Sequence, residues 1–196
     1  MFCSSGAKLF QSNNELMRTH GVLTPELFYM NVSRCECDYE YAFVEHIDGH
    51  DMDYIMEKEP ERLQEILESL RDSIDRLHGI KSEMAGQVGR MQGPDFNMIS
   101  FELEGIRQNS SYLQEYDKEY ANVYIQVEEK AKEYAIKLTK RKEYTFIHGE
   151  LGPNHMIVDK DNNAYLIDIE GAKYYDVDDV NRMIKFFHEQ VVEIIQ

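Results

Sequence analysis

Short apolar runs alternate with polar, turn-forming stretches over the first quarter of the chain. Residues 13–18 have the pattern of a short helix that stops at Gly21. Residues 27–32 and 41–45 are apolar and aromatic, which predicts two strands with a polar turn between them. We expect the second strand to close at residues 48–49, an Asp-Gly pair.

The middle of the chain has the three- and four-residue spacing of amphipathic helices. One helix follows Pro60, which suits a first helical turn, and Gly79 can end it; its apolar stripe consists of Leu63, Ile66, Leu67, Leu70, Ile74 and Leu77. Glycine and proline mark residues 82–111 as a loop-rich connection. A second long helix is predicted from Leu113 to about Arg141, and a third from about Val180 to Ile195.

The last quarter changes to strand-like patterning. Residues 144–147 predict one strand, and residues 156–158 and 164–167 predict two more. The five residues between the last two are rich in turn formers, so these strands are expected to form a hairpin.

Composition limits the partners that this chain can have. The formal net charge is -16, from 37 acidic and 21 basic residues, so binding to nucleic acid or to an anionic membrane is disfavoured. The charge suits either a cationic substrate or simple solubility. A mean hydropathy of -0.56, with no spanning segment and no signal-peptide pattern, predicts a cytoplasmic protein. Cys35 and Cys37 are read as turn or edge-strand residues, because a zinc site would need a second ligand pair.

The predicted hairpin brings chemically useful side chains to one edge. Glu150, Asn154 and His155 precede its first strand, and Asp168 and Glu170 follow its second. Clustered carboxylates repel one another unless a cation or a proton is present. Mg2+ fits such a site because it takes a few protein oxygens and completes its shell with water and phosphate.

These residues carry a family resemblance. His148-Gly149-Glu150, followed by Leu166-Ile167-Asp168, resembles the paired signature of the aminoglycoside and macrolide phosphotransferases, which belong to the protein-kinase-like superfamily. The resemblance implies that Glu150 is the catalytic carboxylate, that His155 and Asp168 hold the metal with Asn154 in reserve, and that His148 and Asp176 organise the loops.

The same resemblance implies a fold and a nucleotide site. The expected class is α+β: a mostly helical C-lobe, residues 49–196, that carries the catalytic hairpin, and a truncated small α/β N-lobe, residues 1–48. Residues 43–49 are similar to the strand and hinge that join the two lobes, so the backbone of Glu45, His46 and Ile47 is expected to hold the purine of ATP or GTP.

The sequence departs from the family pattern in two places. Glu150 stands where the family has Asp, and its extra methylene moves the carboxylate by about 1.5 Å. No glycine-rich G-x-G-x-x-G element is present to cover phosphates. Lys8 is read either as a remnant of the family's lysine strand or as a solvated lysine.

The resemblance favours a phosphotransferase that moves the γ-phosphoryl group of a nucleoside triphosphate to a hydroxyl of a small molecule, with Mg2+ as cofactor. The acceptor would be a small, aminoglycoside-like cation. The alternative is a catalytically degenerate kinase-like protein that binds a nucleotide or a partner. A third reading is a structural subunit whose missing strands come from another chain, and the sequence leaves the oligomeric state open.

Overall fold

The computed structural model describes residues 6–88, 103–104, 107–108, 111–112, 114–116, 118–135 and 141–176. In these residues the helices and strands occur in the order α1 (Gly6–Thr19), β1 (Leu27–Asn31), β2 (Tyr41–Val44), β3 (Gly49–Asp51), α2 (Met52–Lys58), α3 (Leu63–Gly79), β4 (Lys81–Ser82), α4 (Lys118–Ala135), β5 (Tyr144–Ile147), β6 (Met156–Asp159), β7 (Ala164–Leu166) and β8 (Lys173–Tyr175). Three 3-10 turns, Pro60–Arg62, Pro153–His155 and Ile169–Gly171, lie between them. Among the described residues, no helix is long and apolar enough to cross a membrane.

The described residues form three small sheets. β1 pairs with β2, β6 lies between β3 and β7, and β5 lies between β4 and β8. The predicted hairpin is present: β6 and β7 are antiparallel, with Met156 opposite Leu166 and Val158 opposite Ala164. β1 and β2 are also antiparallel, with Asn31 opposite Tyr41.

The chain divides into two compact units. The first contains the described residues of Met1–Ser82, Gly86–Met91 and Thr145–Tyr174, and the second contains those of Glu83–Ala85, Gln92–Tyr144 and Tyr175–Gln196. These units do not test the division into lobes at residues 1–48 and 49–196, which stays a prediction.

The core of the first unit follows from the apolar stripes. α1 and α2 contribute Met17 and Ile55, and the stripe of α3 contributes Ile66 and Leu77. The strands and the turn around the hairpin add Phe146, Val158, Leu166 and Ile169 to this buried set. Alternate residues of β5 and β6 are buried, as expected for strands that pack on one face.

Several elements differ from the sequence expectation. α1 is longer than the predicted helix and begins at Gly6. Residues 48–49 do not close the second strand: β2 ends at Val44, and Gly49 begins β3, which pairs with β6. The α2 helix was not predicted, although Asp51 caps it by accepting a hydrogen bond from the Tyr54 amide at 2.7 Å.

The predicted helices beyond residue 112 are described only in part. α4 occupies Lys118–Ala135, within the predicted range. The terminal helix predicted for residues 180–195 lies outside the described residues, as does most of the connection predicted for residues 82–111.

Arg62 ties the turn of the β6–β7 hairpin to the start of α3. Its Nε donates to Asn162 Oδ1 at 2.8 Å, and its Nη2 donates to the Asp159 carbonyl at 2.6 Å. Its Nη1 pairs with Glu59. The Arg62 side chain is only 23% exposed, so water replaces these contacts poorly.

We therefore expect Arg62→Ala to lower the free energy of unfolding by about 1.5–3 kcal/mol, the usual worth of hydrogen bonds to a charged group. Urea denaturation of both proteins measures the change. Arg71→Ala, at an exposed position of α3, is the matched control and should change stability by less than about 0.5 kcal/mol. Equal losses in the two variants would contradict this role for Arg62.

Candidate functional site

The hairpin register brings His155 and Asp168 together. The Ile167 amide donates to the His155 carbonyl at 3.1 Å, which extends the β6–β7 ladder by one step beyond its strands. His155 and Asp168 therefore flank the open end of the hairpin, and His155 Nε2 lies 3.6 Å from Asp168 Oδ2. The side chain of Asp168 is 65% exposed, so its carboxylate is open to solvent and ions.

The hydrogen bond of the His155 ring fixes its tautomer. Nδ1 contacts the backbone carbonyl of Glu150, and because a carbonyl only accepts, Nδ1 must carry the proton. A ring protonated on Nδ1 alone has its lone pair on Nε2, which is the nitrogen that lies 3.6 Å from Asp168 Oδ2. A histidine whose second nitrogen is held by a backbone carbonyl is the usual arrangement of a metal ligand.

These two residues fit a divalent cation. Asp168 supplies the oxygen that Mg2+ and Mn2+ prefer, whereas an imidazole nitrogen such as that of His155 suits Zn2+ or Fe2+ better. The described residues contain no group of three or more His, Cys, Asp and Glu side chains spaced for a metal ion. A cation here would have two protein ligands, with water and phosphate completing its shell.

Asp168 lies in an uncommon backbone conformation. Its φ of 54° and ψ of 45° are left-handed, and the residue begins the 3-10 turn Ile169–Gly171. Left-handed backbone costs a residue with a side chain on the order of 1–2 kcal/mol. The conformation therefore depends on contacts made by the rest of the turn.

His148 organises the start of the loop from a buried position. It is 2% exposed, and its Nε2 lies 2.9 Å from the Ile167 carbonyl, so this nitrogen carries the proton. Burial lowers the pKa of His148, against the opposing effect of the hydrogen bond to Ile167, and keeps the ring neutral near pH 7. The His148 and His155 rings are nearly parallel, with centroids 6.2 Å apart.

Gly149 and Gly171 let the loop approach the Asp168 turn. Gly149 has a φ of 94°, and a Cβ there would lie 2.5 Å from the Gly171 carbonyl oxygen. The carboxylate of Glu150 lies beside Gly171, with Oε1 3.7 Å from the position of a Cβ on that glycine. The close contact of the two glycines thus places Glu150 against the turn that Asp168 begins.

The other predicted site residues lie in different surroundings. Asn154 Oδ1 lies 2.9 Å from where a Cβ on Gly152 would be, so this side chain turns back towards its own loop. Asp176 belongs to the second unit, where it is buried and paired with Arg141. Glu170 is half-buried in the turn after Asp168.

The predicted purine segment follows β2. The Glu45 amide donates to the Glu26 carbonyl at 2.7 Å, and its carboxylate accepts from the Glu26 amide at 3.0 Å. His46 is exposed and Ile47 is buried. The Glu45 amide is therefore engaged, whereas its carbonyl has no backbone partner within the described residues; the prediction that Glu45, His46 and Ile47 hold the purine stays a prediction.

Asn13 is a buried residue next to the candidate site, and the sequence did not single it out. Its Nδ2 donates to the Ile169 carbonyl at 2.7 Å, across 156 residues of chain. An amide in the middle of an amphipathic helix is an available signal, but the distant partner cannot be read from it.

Comparison with known proteins identifies relatives. The sequence profile of the family described as "Phosphotransferase enzyme family" (APH) matches residues 10–187. No curated protein matches the chain significantly in sequence.

Solved structures of the aminoglycoside phosphotransferase APH(4)-Ia are similar in fold. The chain is 17% identical to one of them, with a TM-score of 0.64. The match covers 89% of this chain and 58% of the solved one. For the ternary complex of a thermostable D198A mutant with ADP and hygromycin B, the identity is 16%, the TM-score is 0.63 and the coverage is the same. The apo thermostable mutant gives 14% identity, a TM-score of 0.63 and coverage of 89% and 59%. The chain thus spans just under three fifths of the length of these relatives, and the expected kinase-like α+β fold is confirmed.

The geometry of Gly149 gives a direct test of the loop. We expect Gly149→Ala to destabilise the protein by about 1–3 kcal/mol, because the added Cβ meets backbone and φ is positive. The matched control is Gly79→Ala, since a Cβ at Gly79 meets nothing within 4 Å. Chemical denaturation of both variants measures the difference, and a Gly149→Ala protein as stable as the control would refute the close loop contact.

Proposed function

Because the chain belongs to the phosphotransferase enzyme family, we propose that it transfers the γ-phosphoryl group of ATP or GTP to a hydroxyl of a small molecule. The observation that carries the proposal is the pairing of His155 Nε2 with Asp168 Oδ2 at the open end of the hairpin. It supplies two converging ligands beside the Glu150 loop, in a fold shared with a nucleotide-binding phosphotransferase.

Each residue has a role in this proposal. His155 and Asp168 would hold Mg2+ or Mn2+, which when bound neutralises charge on the phosphate oxygens. Glu150 would orient the acceptor hydroxyl and accept its proton. Gly149 and His148 fix the loop that carries Glu150, and the backbone of Glu45, His46 and Ile47 would receive the purine.

The net charge of the protein favours some acceptor substrates over others. A protein with a net charge of -16 attracts cations and repels free anions, which suits an amine-bearing substrate. The relative solved with hygromycin B binds an aminoglycoside. We therefore place small aminoglycoside-like cations first among the acceptors to test, and we expect the reaction to take place in the cytoplasm.

A specific observation favours a second function. The carboxylate of the loop is Glu150 in place of the family's Asp, and a misplacement of about 1 Å can cost on the order of 10²-fold in rate. A protein with this change can keep its metal and nucleotide contacts while losing turnover. The second candidate is therefore a nucleotide-binding or partner-binding module of the same fold.

A thermal-shift measurement tests whether the proposed site binds a nucleotide together with a divalent cation. Millimolar ATP with Mg2+ or Mn2+ should raise the melting temperature; ligand at 100 times its Kd adds about 2.7 kcal/mol to stability. Asp168→Asn should abolish the rise, because the carboxylate that attracts the cation is gone. Asp161→Asn, at an exposed turn position, is the control and should keep it. An unchanged melting temperature in the wild-type protein at millimolar ligand would contradict the phosphotransferase and the nucleotide-binding module, and would leave only the partner-binding module.

Turnover separates the two candidates from each other. We expect Glu150→Gln to lower kcat at least about 100-fold, because an amide cannot accept the proton, while the thermal shift with nucleotide persists. ATP consumption with a panel of aminoglycosides, macrolides and simple alcohols measures it. Glu143→Gln, at an exposed position before β5, should leave the rate unchanged. Nucleotide binding without turnover on any acceptor would favour the binding module.

A further inference from the structure

Asn13 connects α1 to the turn that follows Asp168. Its side chain is fully buried, and its Nδ2 donates to the Ile169 carbonyl at 2.7 Å and reaches the Ala172 carbonyl at 3.4 Å. One amide group therefore contacts the carbonyls at both ends of the turn. The turn is closed from within by the Ala172 amide, which donates to the Ile169 carbonyl at 3.1 Å.

This contact acts on a turn that begins in an unfavourable conformation. Asp168 has a φ of 54°, and residues with side chains keep such backbone only when their surroundings hold it. The Ile169 side chain is buried, and the amide of Asn13 in α1 donates a hydrogen bond to the Ile169 carbonyl. The direction of the Asp168 carboxylate then depends on the position of α1.

Within the part of the chain that the structure describes, the Asn13 amide has hydrogen-bond partners on its nitrogen but none on its oxygen. Among the buried side-chain atoms of the described residues, Asn13 Oδ1 is one of two without a hydrogen-bond partner. Burying an unsatisfied acceptor is unfavourable, and a leucine of similar size would avoid it. Nδ2, with its two carbonyl partners, is therefore the part of the amide that acts on the turn.

We propose that Asn13 is a positioning residue that holds Asp168 in its metal-binding orientation, so that α1 and the metal site are coupled. The inference rests on the proposed function of Asp168 as a metal ligand. Asn13 does not touch the reacting groups; it acts through the backbone of residues 169–172. Displacement of α1 would release the turn and weaken cation binding.

The adjacent residue provides a matched control. Asn14 is also a buried asparagine of α1, but its Nδ2 donates to Thr24 Oγ1 at 3.0 Å and to the Pro25 carbonyl at 2.7 Å. Asn14→Leu removes a buried amide from the same helix without removing a contact to the Asp168 turn. Any effect confined to Asn13 variants therefore belongs to that turn.

The test compares wild type, Asn13→Leu, Asn13→Ala and Asn14→Leu by Mn2+ binding, measured from the free Mn2+ signal in electron paramagnetic resonance with saturating ADP. Both Asn13 variants should weaken Mn2+ binding about 5- to 10-fold, because both lack the donor although they pack differently. Asn14→Leu should bind as the wild type does. Equal weakening in the Asn13 and Asn14 variants would overturn the proposal.

Hydrogen exchange of the turn tests the same contact without metal. The Ala172 amide should exchange several-fold faster in Asn13→Leu than in wild type, and no faster in Asn14→Leu. Unchanged exchange in Asn13→Leu overturns the positioning role. If the wild-type protein binds no Mn2+ with ADP, the metal assignment of the proposed function fails, and the exchange result still decides whether Asn13 holds the turn.

Discussion

The antiparallel pairing of β6 with β7 is the constraint on which the candidate site depends. The pairing of Met156 with Leu166 leaves His155 and Asp168 as flanking residues, and the hydrogen bond from the Ile167 amide to the His155 carbonyl draws the two together. A slip of one residue would turn alternate side chains to the opposite face and separate the two candidate ligands. The register itself is fixed by buried Val158 and Leu166, so the hydrophobic core sets the geometry of the site.

Around this hairpin, three further contacts restrict the loops. Arg62 donates a hydrogen bond to the Asp159 carbonyl and so links the turn between the strands to α3. Gly149 lies in close contact with the Gly171 carbonyl. The buried His148 ring donates a hydrogen bond to the Ile167 carbonyl. Each contact is made to backbone. The loop conformations are therefore determined by main-chain partners, which leaves the side chains of Glu150 and Asp168 available for chemistry.

Local sequence patterns predicted the hairpin well. Strand patterning on either side of a polar turn located both strands, and the His-Gly-Glu triplet and the Ile-Asp pair identified the loops at the open end of the hairpin. The same reasoning missed α2, because its seven residues are too few to show a helical period, and it missed β3, whose exposed Gly-His-Asp sequence has no strand signal. The contact of Asn13 with Ile169 was beyond prediction because it links positions 156 residues apart.

The central claim, a divalent-cation site formed by His155 and Asp168, is tested most directly by nuclear magnetic resonance of the histidine ring protons during a Mn2+ titration with ADP present. Paramagnetic broadening depends steeply on distance from the ion. The account predicts that the His155 signals, assigned with a His155→Asn variant, broaden first and that the His148 signals follow, because the two rings are 6.2 Å apart. Uniform broadening of all histidines, or broadening that survives Asp168→Asn, would contradict it.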